Sequence, residues 1–184
     1  VNAAVKANKL LQVAAGAAYT DDGESLQFDI KNRYNVLKEV IDESANKVLV
    51  FVPFQNTIEM LTDRLRQDKV TAEIINGSVS AGARADIFRR FQQSDDPRVL
   101  VIQPQAAAHG VTLTAADTIV WWAPTASLEI YAQANARIHR SGQTNKCTVV
   151  QLEGSSVERH IYALLDNKID VHSKILELYN NILD

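Results

Sequence analysis

Five consecutive apolar residues, Val48-Leu49-Val50-Phe51-Val52, constrain this chain more than any other stretch. A strand apolar on both faces must be covered on both faces, which is the situation of a parallel sheet between two layers of helices. Pro53 ends the run. Further strands are expected at Ala72–Ile75, Arg98–Ile102, Asp117–Trp122 and Cys147–Leu152. Between the first three lie two helical patterns. Ile58, Leu61 and Leu65 follow a capping box expected at Asn56 and Glu59, and Ala83, Ile87 and Phe91 follow Ser80 as an expected N-cap. Asp95-Asp96-Pro97 breaks the second pattern. Strand, helix, strand, helix, strand reads as an α/β fold with a parallel sheet and helices on both faces. Such sheets bind ligands at the carboxyl ends of their strands, where the loops of interest are expected.

The flanks read as helical extensions. Val1–Ala18 is rich in Ala, Leu and Val, Asp21-Asp22-Gly23-Glu24 is a turn signal, and Leu26–Ile30 is a short extended piece. Asn32–Ser44 has helical spacing, with Tyr34, Leu37 and Ile41 on one face. Val40-Ile41-Asp42-Glu43-Ser44 looks like an apolar strand followed by a magnesium-holding Asp-Glu. Its apolar run is only two residues long, however, and helical spacing accounts for it better. Ser155 and Glu158 read as a capping box opening a long helix. Its stripe is Ile161, Leu164, Leu165, Ile169, Ile175, Leu176, Tyr179 and Ile182, with a break at Asp170 and Ser173, and it is expected to pack on its own domain. The division is then an N-terminal extension over residues 1–45, a core over 46–154 and a C-terminal helix over 155–184.

Composition narrows the function classes. The chain has 184 residues, of which 46% are hydrophobic and 22% charged, enough for a substantial core. A net charge of -3 argues against gripping nucleic acid with the whole surface but leaves room for a local basic track. The single cysteine, Cys147, leaves no internal disulfide and fits a cytoplasmic protein. No apolar run is long enough to span a membrane, and no leader pattern opens the chain. His109, His139, His160, His172 and Cys147 lack ligand spacing, so no metal site is expected. There is no P-loop and no nucleophile elbow. The chain begins at Val1, and a fragment of a longer protein is expected.

Against these absences stands Gln133-Ala134-Asn135-Ala136-Arg137-Ile138-His139-Arg140-Ser141-Gly142-Gln143. Ser127 is an expected N-cap for a helix running into it. If that helix continues, Gln133, Arg137 and Arg140 fall at i, i+4 and i+7 on one face. Two guanidinium groups with a nearby amide can grip a polyphosphate by paired hydrogen bonds; the plainer alternative is a solvated helix face. Arginines without a phosphate cradle suggest half of a site, because an arginine supplied across an interface can stabilise a transferring phosphoryl group.

That eleven-residue stretch resembles motif VI of superfamily 2 helicases, a Q-A-x-x-R-x-H-R-x-G-Q pattern, in the style of the SNF2 class of DNA translocases. Lys47–Phe54 resembles motif IV, and Asn76-Gly77-Ser78 resembles the next motif, which touches the nucleic-acid backbone. Ala106–Asp117 with Thr118–Trp122 resembles motif V and its strand. The resemblance covers nearly the whole chain and is nearest to bacterial and phage members. It implies a RecA-like C-terminal lobe in the cytoplasm of a bacterium, or phage-encoded. Arg137 and Arg140 would reach the phosphates of ATP, Gln133 would support them and the attacking water, and Gly110 would lie at the seam between ATP and DNA. Gly77, Ser78, Gln105 and His109 would meet DNA phosphates. ATP and Mg2+ would be held mainly by an N-terminal RecA-like lobe, duplex DNA would be the partner, and this chain alone would be inactive. One departure is that motif V, usually glycine-rich with polar ends, here carries Ala106, Ala107, Ala108 and Thr112. A non-catalytic helicase-like module binding nucleic acid or protein is the alternative; an unrelated nucleotide-using α/β enzyme is a third reading.

Overall fold

The computed structural model describes residues 3–20, 22–107, 110–169, 171 and 174, with side chains from residue 8 onward. Strands β3 (Lys47–Phe51), β4 (Ala72–Ile75), β5 (Val99–Ile102), β6 (Ala116–Trp121) and β7 (Thr148–Gln151) form one parallel sheet in the order β4-β5-β3-β6-β7. The apolar run sits where its composition demands, at the centre of the sheet, and Val48 through Val52 are wholly buried.

Alternate residues of these strands feed two separate cores, as a pleat with a period of two requires. Leu49, Phe51, Leu100, Ile102, Ile119 and Trp121 face one layer. There they meet Ile87 and Phe91 of α4 (Ala81–Gln93), Tyr131 of α5 (Leu128–Asn135) and Ile161 of α6 (Ser156–Asp166). Val48, Val50, Val99, Val101 and Val120 face the other layer. There they meet Leu37 and Ile41 of α2 (Lys31–Glu43), Ile58, Leu61 and Leu65 of α3 (Gln55–Gln67), and Ala15 at the end of α1 (Ala3–Ala15). The α/β fold with helices on both faces is as expected.

Several expectations are corrected. The first helix stops at Ala15, because Gly16 takes φ +104 and turns the chain into β1 (Ala17–Tyr19), which pairs antiparallel with β2 (Ser25–Gln27). Asn56 does not cap α3. The N-cap is Phe54, which makes no side-chain cap bond, and Asn56 is buried inside the helix. Phe54 packs against both cores, so burial rather than a polar cap sets where α3 begins. The tail helix is interrupted earlier than at Asp170: α6 ends at Asp166, Asn167 and a positive-φ Lys168 follow, and Val171 and Lys174 are helical again. The calls on Asp170, Ser173, Ile175, Leu176, Tyr179 and Ile182 lie outside the described residues. Residues 40–43 are helical as their spacing predicts, and Asp42 pairs with Lys38 one turn earlier.

The two helix layers are tied together beyond the strand ends. Arg33 of α2 donates from Nη2 to Oε2 of the fully buried Glu158 at 2.7 Å, and from Nη1 to the carbonyl of Trp122 at 2.6 Å. The same Oε2 accepts from Gly154 N and from Ser155 Oγ, whose own oxygen accepts from Glu158 N and caps α6.

Candidate nucleotide and nucleic-acid interface

The segment carrying the arginines is not one continuous helix face. Ser127 caps α5 as expected, its Oγ accepting from Ile130 N. The helix ends at Asn135, Ala136 is its C-cap, and residues 136–143 form consecutive turns. The i, i+4, i+7 arrangement of Gln133, Arg137 and Arg140 is therefore corrected. At the last helical residue, Trp121 of β6 donates its indole N–H to Asn135 Oδ1 at 2.9 Å. Gln133, still helical, donates to Glu129 Oε1 along its own helix and not toward the arginines.

Those turns lie against the chain that leads into β6. Leu113 N donates to the Arg137 carbonyl at 3.1 Å. Arg140 Nη1 donates to the Gly110 carbonyl at 2.9 Å, with Thr112 Oγ1 at 3.5 Å. Gln143 Nε2 reaches the carbonyls of Ala116 at 2.8 Å and Ile138 at 3.3 Å. The arginine turns thus sit beside the amino end of β6. That differs from the carboxyl-end placement expected for every loop, because α5 runs back antiparallel to β6 before the chain turns. Gly110 adopts φ +70, a conformation that glycine enters without strain.

Arg137 is only 3% exposed, and its guanidinium is held below its ordinary pKa, by burial first and by the charge of Arg140 second. Arg140 is partly exposed and has no acidic partner among the described residues. A partly exposed guanidinium such as that of Arg140 can take phosphate oxygens in charge-assisted hydrogen bonds. The donor set thus fits a polyphosphate. Among the described residues there is no group of three metal-ligating side chains.

The other expected contacts do follow strand carboxyl ends. Gly77 and Ser78 are exposed just beyond β4. The buried Asn76 organises them, since its Oδ1 accepts from both Ser78 N at 3.1 Å and Ser78 Oγ at 2.7 Å. Gln105 is exposed in a 3-10 turn, Pro104–Ala107, just after β5. His109, with Ala108, lies outside the described residues. Ala106 and Ala107 are 9% and 1% exposed and belong to the core, so small apolar residues there serve packing.

Three residues had drawn no role: Asn76, Gln143, and Arg84, whose Nη2 donates to the carbonyls of Asn76 and Val79. For Arg84 the sequence held a signal. A cation near a helix N-terminus opposes the helix dipole, so a residue kept there needs a compensating partner. For Asn76 and Gln143 the partners are backbone atoms that no spacing rule names.

Comparison with known proteins bears on the fold and the family. The family model for the helicase conserved C-terminal domain matches residues 32–142. The chain is 31% identical over 135 residues to the CHD3-type chromatin-remodeling factor CHR7 of Arabidopsis thaliana, covering 70% of this chain and 11% of that protein. It is 31% identical over 146 residues to the human chromatin-remodeling ATPase INO80, covering 76% of this chain and 9% of that protein. Among solved structures it resembles the C-terminal part of the Fun30 ATPase domain, with TM-score 0.72 and 20% identity over 83% of this chain and 54% of that one. The chain thus spans a small part of the curated relatives it matches. Those named here are plant and human proteins and lend nothing to the expectation of a bacterial or phage member. No helix among the described residues is long and apolar enough to cross a membrane. The fold, the family match and these relatives together place the chain in the helicase conserved C-terminal domain family, as a C-terminal RecA-like lobe of the SNF2 class.

Proposed function

We propose that this lobe works in a DNA-dependent ATPase that steps along duplex DNA, completing a nucleotide site whose P-loop lies on an N-terminal RecA-like lobe. The observation that carries this reading is the bonded seam between the arginine turns and the segment 110–116. Arg137 and Arg140 fit the role of arginines reaching ATP when the lobes close, neutralising charge that develops on the transferring phosphoryl group. Gln133 would leave Glu129 to support them and the attacking water. Mg2+ is assigned mainly to the N-terminal lobe. Gly77, Ser78 and Gln105 meet DNA phosphates, a role that His109 is assigned from the sequence alone, positioning the strand without reading its sequence. Any movement of the arginines is passed through Gly110 to the loop after β5, which links the nucleotide to the DNA side. The alternative, a binding module without a motor, drew its support from the alanines of motif V, and the burial of Ala106 and Ala107 gives those a packing role.

The test joins this lobe to a P-loop lobe and measures ATP turnover with and without duplex DNA. The expected result is DNA-stimulated hydrolysis by the joined protein and none by this chain alone. Hydrolysis by this chain alone, or a joined protein indifferent to DNA, overturns the reading.

A further inference from the structure

From Gly110 to the start of β6 the chain forms neither helix nor strand, so its backbone groups must find partners elsewhere. The arginine turns supply some of them. Gln92, near the end of α4, supplies others, and no pattern in the sequence singled it out. Ala115 N donates to Gln92 Oε1 at 2.8 Å, and Gln92 Nε2 donates to Thr114 Oγ1 at 3.3 Å. The orientation of this amide follows from chemistry, since a backbone N–H can only donate and must face the oxygen. From the arginine turns, Gln143 Nε2 reaches the carbonyls of Thr114 at 3.4 Å and Ala116 at 2.8 Å. The same Nε2 reaches the carbonyl of Ile138, the residue after Arg137, at 3.3 Å. Two glutamine amides thus hold residues 114–116, one from α4 and one from the turns.

The other end of α4 begins at the turn assigned above to DNA. Ser80 caps the helix directly after Gly77, Ser78 and Val79. Its 13 residues span about 20 Å at the rise of an α-helix. Ile87 and Phe91 seat it in the same core as Leu113, so helix and segment stay packed together whatever stands at position 92. We propose that Gln92 is a positioning residue for the arginines: by tying Thr114 and Ala115 to the end of α4, it makes that helix a rod between the Gly77–Ser78 turn and the segment on which Arg137 and Arg140 rest. A small shift of α4 on its close-packed core then carries Ala115 with it. Leu113 and Ala116, on either side, pass the shift to the Arg137 carbonyl and to Gln143. This route is separate from the one through Gly110, and it starts from a residue outside every motif quoted above. It rests on the function proposed above and adds to it the residue that sets the arginines when DNA is bound.

The experiment uses this lobe joined to a P-loop lobe. It measures kcat and KM for ATP with and without duplex DNA, affinity for a fluorescein-labelled duplex, and the melting temperature. Gln92→Met keeps the length of the side chain and removes both bonds. Gln92→Asn keeps an amide that falls one methylene short, and it serves if Gln92→Met fails to fold. Gln92→Glu keeps the acceptor for Ala115 N and accepts from the Thr114 hydroxyl. Gln92→Met and Gln92→Asn are expected to lower the DNA-stimulated kcat by roughly 10- to 100-fold, the cost of misplacing a group from outside the site, with KM for ATP and duplex affinity within about twofold of wild type. Gln92→Glu is expected to retain most of the turnover. A wild-type kcat in a folded Gln92→Met or Gln92→Asn variant overturns the inference. So does a loss of turnover, duplex affinity and melting temperature together, or a failure of both variants to fold, because each marks a merely structural residue. Gln92→Glu as slow as Gln92→Met also overturns it, by detaching the effect from the Ala115 bond. If the unaltered joined protein shows no DNA-stimulated turnover, the function proposed above falls first and takes this inference with it.

Discussion

Replacing Glu158 with alanine tests how the helices on opposite faces of the sheet are held together. Glu158 is fully buried, and the Arg33 side chain is 10% exposed. Removing the carboxylate strands a guanidinium whose remaining bond is to the Trp122 carbonyl. It also frees Gly154 N and Ser155 Oγ, which water can reach more easily. Breaking a buried pair from one side costs about 3–5 kcal/mol, chiefly because an unpaired charge is left inside. Each kcal/mol lowers the melting temperature of a domain this size by about 2–4 °C, so a drop of roughly 6–20 °C is expected. Urea titration should move the midpoint without changing the slope. The double variant Arg33→Met with Glu158→Leu removes both charges and should recover most of the loss, because no ion is left unpaired. A single variant within about 1 kcal/mol of wild type, or a double variant as poor as the sum of its singles, would refute the reasoning.

Two further outcomes follow from other parts of the molecule. Gly16→Ala forces a side chain into φ +104 and drives its Cβ into Ile30 Cγ2, so urea unfolding should show a loss of roughly 2–5 kcal/mol; a neutral result would contradict this account of the turn into β1. The Cys147 thiol is pushed above its ordinary pKa by burial first and Asp117 second, which favours the neutral form, so iodoacetamide should label it more slowly in the folded chain than in the urea-unfolded chain between about pH 7 and 9; equal rates would contradict this.

The core of the fold was legible because it depends on simple periods. An apolar run in the centre of the chain and alternating strand and helix patterns are enough to require β3 between two helix layers, and Ser80, Ser127 and Ser155 cap as their spacing predicts. The misreadings arise where tertiary contacts outweigh local pattern. Asn56 looked like a cap, but the burial of Phe54 sets the start of α3. The arginines looked helical, but α5 closes at Ala136 and the turns that follow bond to the segment leading into β6. The identities of Arg137 and Arg140 were readable. The bonds of Arg140 to Gly110, of Arg137 to Leu113 and of Gln143 to Ala116 were not, because they end on backbone carbonyls and amides that no spacing rule names. Arg84 was passed over for a related reason, since its partners are carbonyls of a neighbouring turn.

The central claim concerns Arg140 and Arg137, and single-turnover ATP hydrolysis by this lobe joined to a P-loop lobe tests it most directly. Arg140→Ala and Arg137→Ala, each shown by melting to be folded, should slow the chemical step by roughly 10³-fold or more, the scale at which a transition-state arginine acts. Near-normal rates in both folded variants would contradict the account.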